Sequence, residues 1–245
     1  MPSRARPYTC RMRVFLMRTC LSDAIAPSVW KASRRVLQRC GVEVVVPRAQ
    51  TCCSQPAWTA GHPDQARAVA RHTLQVFAGP EEVVVPSGSC AGMVVHAYPE
   101  MFAGEPEEEA AIDLARRTVE LTQFLARHGL DPGPGAQGPV TMHDSCHMLR
   151  VLGESASPRE ALANAGCAVE EMEHTDRCCG FGGVFSITFP ELSARLGEEK
   201  ARAAMQSGAG EVTSCDLGCL MHIAGVAHRQ GIPLRARHIA EVLDQ

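Results

Sequence analysis

Val140-Thr-Met-His-Asp-Ser-Cys146 is a short apolar run that ends on a cysteine, and Val14-Phe-Leu-Met-Arg-Thr-Cys20 is the same phrase written earlier in the chain. Runs of this kind, followed by a helical pattern, read as buried parallel strands. An adjacent cysteine pair follows each run, Cys52-Cys53 in the first copy and Cys178-Cys179 in the second. The matched positions, 20 to 146, 52 to 178 and 53 to 179, share one offset of 126 residues. A fourth cysteine closes each copy, Cys90 after Glu82-Val-Val-Val-Pro-Ser-Gly-Ser and Cys219 after Glu211-Val-Thr-Ser-Cys-Asp-Leu-Gly. An internal repeat of this length marks a duplicated unit. What is duplicated is a four-thiolate constellation at the carboxyl ends of strands, where open α/β sheets bind ligands.

The expected fold is therefore α/β: two duplicated small α/β lobes, each with a short, mostly parallel sheet, related by a pseudo-two-fold. Residues 1–12 read as an N-terminal tail, 13–128 as the first cysteine-rich lobe, 129–139 as a Pro/Gly linker and 140–245 as the second lobe. In the first lobe, strands are expected at 13–20, 42–46 and 83–85, and helices at 28–40 and 63–77. The helix at 28–40 offers Val29, Trp30, Ala32, Val36 and Leu37 for a buried face. A long helix is expected over 110–128, started by Glu107 to Glu109, whose charge suits a helix amino end. The second lobe repeats the plan with strands at 140–142, 168–172 and 211–213, helices at 158–165 and 190–205, and a short closing helix at 237–243. Gly133, Gly135 and Gly138 spell a dinucleotide fingerprint by letters alone. That fingerprint requires strand before and helix after, the reverse of the order here, so a plain linker is the better reading.

Composition narrows the function. Of 245 residues, 45% are apolar and 21% charged, ordinary for a globular protein, and the formal charge of −3 provides no basic field for nucleic acid. No stretch approaches the roughly 18 apolar residues of a membrane span. Arg4, Arg6 and Arg11 have no acid nearby, but a first strand near Arg13 leaves too little chain for a transit peptide, so a frayed tail, or a start at Met12, is expected. Nothing resembles a secretory signal, so a cytoplasmic, reducing compartment is expected, where 12 cysteines point to metal or redox chemistry before structural disulfides.

Adjacent cysteines rarely bridge to each other without strain, but their thiolates suit different irons of one compact cluster. Four thiolates also match a zinc tetrahedron, and spacing does not decide between the two. Structural zinc sites typically use local knuckles, whereas this chain contains no Cys-x-x-Cys, which favours iron–sulfur. Cys40 and Cys167 fall outside the repeat beside helix-capping glycines and read as small buried residues; Cys10 also lies outside it.

At these residues the chain resembles the cysteine-rich CCG-domain family, which includes the CCG-bearing component of heterodisulfide reductase and the iron–sulfur subunits of glycolate oxidase and anaerobic glycerol-3-phosphate dehydrogenase. Pro86-Ser-Gly-Ser-Cys90, His143-Asp-Ser-Cys-His147, Cys178-Cys-Gly-Phe-Gly-Gly183, Gly218-Cys-Leu-Met221 and His238-Ile-Ala-Glu-Val-Leu243 are similar to stretches of its stand-alone lactate-utilisation members. The resemblance implies a subunit in L-lactate oxidation to pyruvate, with electrons passing through [4Fe–4S] clusters, cubane or non-cubane. It also implies partners, a ferredoxin-like iron–sulfur protein and a third subunit, and a small 2-hydroxy acid as candidate substrate. The implied ligands are Cys20, Cys52, Cys53 and Cys90 in one lobe and Cys146, Cys178, Cys179 and Cys219 in the other, with Cys215 as a candidate fifth thiolate. Three departures stand out: Ser54 replaces the glycine after the first pair, Met93 stands where a closing cysteine is expected, and Cys215 and Cys219 are separated by three residues instead of two. A four-ligand cubane or zinc is therefore open for the first lobe, and the two sites are expected to differ.

His143 and His147 flank Cys146, where the first lobe has Met17 and Leu21. They are candidate catalytic residues, able to hydrogen-bond a cluster sulfur or move a proton near neutral pH, against the plainer reading that they pack or cap the strand end. Gly180, Gly182 and Gly183 let backbone amides approach a cluster or a carboxylate, or simply form a tight turn. Arg150 is a candidate for a substrate carboxylate or a solvated arginine. Besides lactate oxidation, disulfide reduction at a cluster and a zinc-stabilised scaffold remain open.

Overall fold

The computed structural model describes residues 12–136 and 138–245; Cys10 and all but the last residue of the expected tail lie outside them. Four parallel strands form the first sheet: β1 (Arg13–Leu16), β2 (Glu43–Val45), β3 (Glu82–Val85) and β4 (Thr118–Glu120), in the order β2-β1-β3-β4. Val83, Val84 and Val85 are fully buried, the signature of a central parallel strand covered on both faces. The second sheet is also parallel, with β5 (Thr141–Met142), β6 (Glu211–Ser214) and β7 (Arg235–His238) in the order β5-β6-β7. A lone parallel bridge, Val140 to Val169, occupies the place beside β5 that β2 holds beside β1. The duplication is thus visible in topology, and the expected α/β fold with two small parallel sheets is present.

Helix Pro27–Arg39 starts with Pro at its amino end and buries Val29, Ala32, Val36 and Leu37, an i, i+3, i+7, i+8 stripe. Trp30 lies off that stripe, its ring flanked by Arg18 and Lys31. Helices Pro63–Val76 and Pro190–Gln206 fall where expected.

Several expectations are corrected. The long helix over 110–128 is two helices, Glu108–Arg117 and Leu121–Arg127, with β4 between them. Thr118 and Val119 are β-branched and buried, and the Glu120 carboxylate accepts from the Thr122 and Gln123 amides to start the second helix. The expected strand at 168–172 is only the Val169 bridge. The segment 13–20 leaves the sheet at Leu16, and Cys20 opens a short helix, Cys20–Ala24. The closing segment begins as β7, with His238 capping helix Ile239–Leu243. A thirteen-residue helix, Leu217–Arg229, follows β6 and carries Cys219; the sequence reading missed it.

Among the described residues, three hydrophobic clusters hold the fold together. One belongs to the first half, around Phe77, Tyr98 and Phe102, and one to the second, around Ala201, Leu220 and Ile223. The third is shared: Leu16, Leu37, Phe124 and Leu125 pack with Met142, Leu162, Ile239 and Val242. The segment between the halves is anchored too, with the Gly135 and Ala136 amides donating to Ala165 O and Val242 O at 2.9 and 2.8 Å. Among the described residues no helix is long and apolar enough to cross a membrane.

Candidate metal centre

Both cysteine sets face one cavity of about 210 Å³. Its lining includes Cys20, Cys52, Cys53 and Cys90 from the first half and Cys146, Cys178, Cys179 and Cys219 from the second. One water needs only about 10–15 Å³, so the space accepts something much larger.

The positions follow from the duplicated topology. Cys20 begins the helix after β1, Cys90 lies in helix Gly88–Gly92 after β3, Cys146 precedes a π-helical turn, His147–Val151, after β5, and Cys219 lies in the first turn of the helix after β6. The vicinal pairs sit in loops. Gly180 N and Phe181 N point at Cys178 Sγ and Cys179 Sγ from 3.3 and 3.5 Å.

Within each half the thiols hydrogen-bond in the same order. Cys53 Sγ lies 3.3 Å from Cys90 Sγ. Hydrogen bonds from Cys20 and then Cys53 hold the Cys52 thiol far below its ordinary value despite burial, while Cys20 and Cys53, bonded to it, are pushed up. In the second half Cys178 is held down by Cys146 and then Cys179, which are pushed up in turn. Cys219 is lowered first by Cys179, with the nearby His143 ring helping to outweigh burial. Sulfurs this close cannot all ionise on their own, whereas a soft cation among them allows it. The donor set therefore fits thiolate-held iron or zinc.

Polar residues tie the halves together behind the sulfurs. Asp216 is buried and accepts from Ser87 Oγ at 2.9 Å, Ser89 N at 2.9 Å, Ser89 Oγ at 2.7 Å and Ser145 Oγ. Burial opposes its ionisation, but these hydrogen bonds, led by Ser145, win and hold its carboxyl below the usual range. Gln55 of the first half reaches His147 of the second, with 2.8 Å between Nε2 atoms, and His147 Nδ1 lies 3.6 Å from Cys146 Sγ. His143 is almost fully buried and lines the cavity. Gly182 and Gly183 line it as well.

Other expected site residues lie elsewhere. Cys215 is not in the cavity lining; it is fully buried in the shared core, where burial first, then the neighbouring charges of Glu120 and Asp216, push its thiol up. Arg150 is exposed and outside the lining. Met93 is buried in the core of the first half. Cys167 is buried and Cys40 half-buried, away from the cavity. Gln55, Ser87, Ser89 and Asp216 were not anticipated. Each stands within four residues of a repeated cysteine, the one signal that could have drawn attention to them, but their pairing across the halves is written nowhere in the linear chain.

Comparison with known proteins agrees with this geometry. Residues 14–95 and 140–224 match the family model of the cysteine-rich domain CCG. Lactate utilization protein A of Bacillus cytotoxicus is 42% identical over 237 residues, covering 95% of this chain and 99% of that protein. Lactate utilization protein A 1 of Bacillus cereus (strain AH820) is 40% identical with the same coverage. A crystal structure of a hypothetical protein from Helicobacter pylori matches with a TM-score of 0.58 at 9% identity, covering 95% of this chain and 48% of that one, a likeness of fold alone. Two copies of the family's domain, and relatives of about 40% identity matched over 95% of the chain, make this protein a member of the cysteine-rich CCG-domain family, of the lactate utilization protein A type.

Proposed function

We propose that this protein is a cytoplasmic iron–sulfur subunit in the oxidation of L-lactate to pyruvate. Its two lobes, 13–128 and 140–245, joined by 129–139, work as one unit. The observation that carries the reading is the convergence of eight cysteine side chains, two sets of four in matching order, on one cavity. Cys20, Cys52, Cys53 and Cys90 hold one [4Fe–4S] centre, and Cys146, Cys178, Cys179 and Cys219 the other. Such a group supplies reversible one-electron chemistry. Oxidising a 2-hydroxy acid to a 2-oxo acid releases two electrons and two protons, so the complete reaction needs an acceptor. A ferredoxin-like iron–sulfur partner and a third subunit fill that need, as the resemblance implies.

The chain's own residues prepare the site for this task. Asp216 holds Ser87, Ser89 and Ser145 beside Cys90 and Cys146, which fixes the relative position of the two sets. His147, braced by Gln55 at the cavity wall, is placed to take or give a proton. The lowered Cys52 and Cys178 thiols offer thiolates to incoming metal.

Anaerobic purification followed by iron, sulfide and zinc analysis, with electron paramagnetic resonance, tests the proposal on wild type and on the Cys52→Ser and Cys178→Ser variants. The expected result is about four irons with matching sulfide per cysteine set, a redox-active signal, and selective loss in the altered half. Stoichiometric zinc without iron after anaerobic reconstitution would overturn it.

A further inference from the structure

His143 differs from every other polar side chain around the cavity. The backbone holds it from both sides: its amide donates to Thr213 O at 2.8 Å, and its carbonyl accepts from Ser214 Oγ at 2.9 Å. His143 is about 1% exposed, yet neither Nδ1 nor Nε2 makes a hydrogen bond of ordinary geometry among the described residues, although the ring lies near enough to help lower the Cys219 thiol. A buried nitrogen left unpaired loses its hydration with nothing in return, and buried imidazoles are ordinarily satisfied. One ring nitrogen and the sulfurs of Cys179 and Cys219 lie within 4.8 Å of one another. Donors on one tetrahedral metal stand roughly 3.5–3.8 Å apart, and donors on neighbouring irons of one cluster stand farther apart, so the three atoms lie within reach of a single centre of either kind.

The first half has nothing equivalent. The matching position is Met17, buried against the cluster that contains Cys53 and Cys90. One half thus offers sulfur alone, and the other sulfur together with a pre-placed nitrogen.

We infer that His143 is a direct metal ligand of the second cysteine set, through one ring nitrogen, alongside Cys179 and Cys219. The two centres then differ in ligand chemistry, all-thiolate in the first half and mixed thiolate–imidazole in the second. His143 joins the cysteines as a neutral donor that the first half lacks, so the two centres differ in potential. The inference rests on the proposed reading of both sets as metal centres.

The test uses full-length protein labelled with 15N-histidine, reconstituted anaerobically with iron and sulfide and studied by pulsed electron paramagnetic resonance. A strong coupling to a directly bonded 15N is expected, present in Cys52→Ser and absent in His143→Met, which copies Met17 and should keep the thiolates. Iron–sulfur signals from both halves without directly bonded nitrogen overturn the inference and leave the proposed function intact. If the protein takes zinc and no iron, the proposed function fails, and zinc X-ray absorption decides this inference separately. A nitrogen in the shell that disappears in His143→Met supports it, and an all-sulfur shell overturns it. Binding of neither metal overturns both.

Discussion

Ser54 and Gly180 follow the two vicinal pairs at matching positions, and both have positive φ, 69° and 90°. The turn that aims each pair at the cavity imposes this conformation, which glycine adopts freely and serine only at a cost of about 1 kcal/mol. Ser54→Gly is expected to raise stability by up to that amount in urea denaturation. Gly180→Ala is expected to lose about 2 kcal/mol or more, on the order of a strained overpacked site, because a Cβ there meets the Ser193 carbonyl and lies 2.9 Å from Leu196 Cβ. Glu120 is a second residue with a conspicuous environment. Burial pushes its carboxyl up to about 7 despite hydrogen bonds from Thr122 and Gln123. Between the unfolded value of about 4.3 and the folded value, the native state keeps a proton that the unfolded state loses, so stability falls as pH rises through this window. The stability difference between Glu120→Gln and wild type should therefore widen by about 2 kcal/mol from about pH 5 to 7.5 and level off above about pH 8. A difference that stays flat across pH would show that Glu120 is ionised throughout.

At the scale of elements, the junctions between strand and helix decide what the cysteines can do. Helix Gly88–Gly92 comes so near the second half that a Cβ on Gly88 would meet Met148, with its Sδ at 2.8 Å, and Asp216 Oδ2 at 3.0 Å. Gly88→Ala is expected to destabilise by about 2 kcal/mol, and Met148→Ala should remove most of that added penalty in a double-mutant cycle. Strict additivity of the two changes would mean that the halves do not meet there. The strands β1 and β3 were legible because each holds an unbroken apolar run, and β6, whose one apolar residue is Val212, because it repeats the position of β3. β4 was not, since its three residues continue an amphipathic helical pattern from 108 to 127. Only the open edge of the sheet beside β3 makes pairing there better than helix. The expected strand at 168–172 failed for the opposite reason: its only bridge is from Val169 to Val140, the residue just before β5.

For the whole molecule, the shared core matters most. Helix Ile239–Leu243, the last of the chain, packs with the buried face of Pro27–Arg39, and Arg35 Nε donates to Asp244 Oδ2 at 2.7 Å. The two halves are therefore expected to unfold together. Calorimetry of the metal-free protein should show one cooperative transition, and removing residues 239–245 should abolish hydrogen-exchange protection in helix Pro27–Arg39. Two separated transitions, or a protected first half after truncation, would mean that each half is stable by itself.

The duplication, the parallel α/β character and the identity of the eight thiols could be read from the chain alone, because local apolar runs and repeated cysteines are one-dimensional signals. Only the tertiary structure decided that the two sets share a single cavity and that Cys215 points into the core. The same holds for Asp216 binding serines of both halves and for His143 lying beside Cys179 and Cys219 with its nitrogens unpaired. These depend on how two sheets pack across a common core, a relation between residues as far apart in the chain as Cys20 and Cys219 that no local pattern encodes.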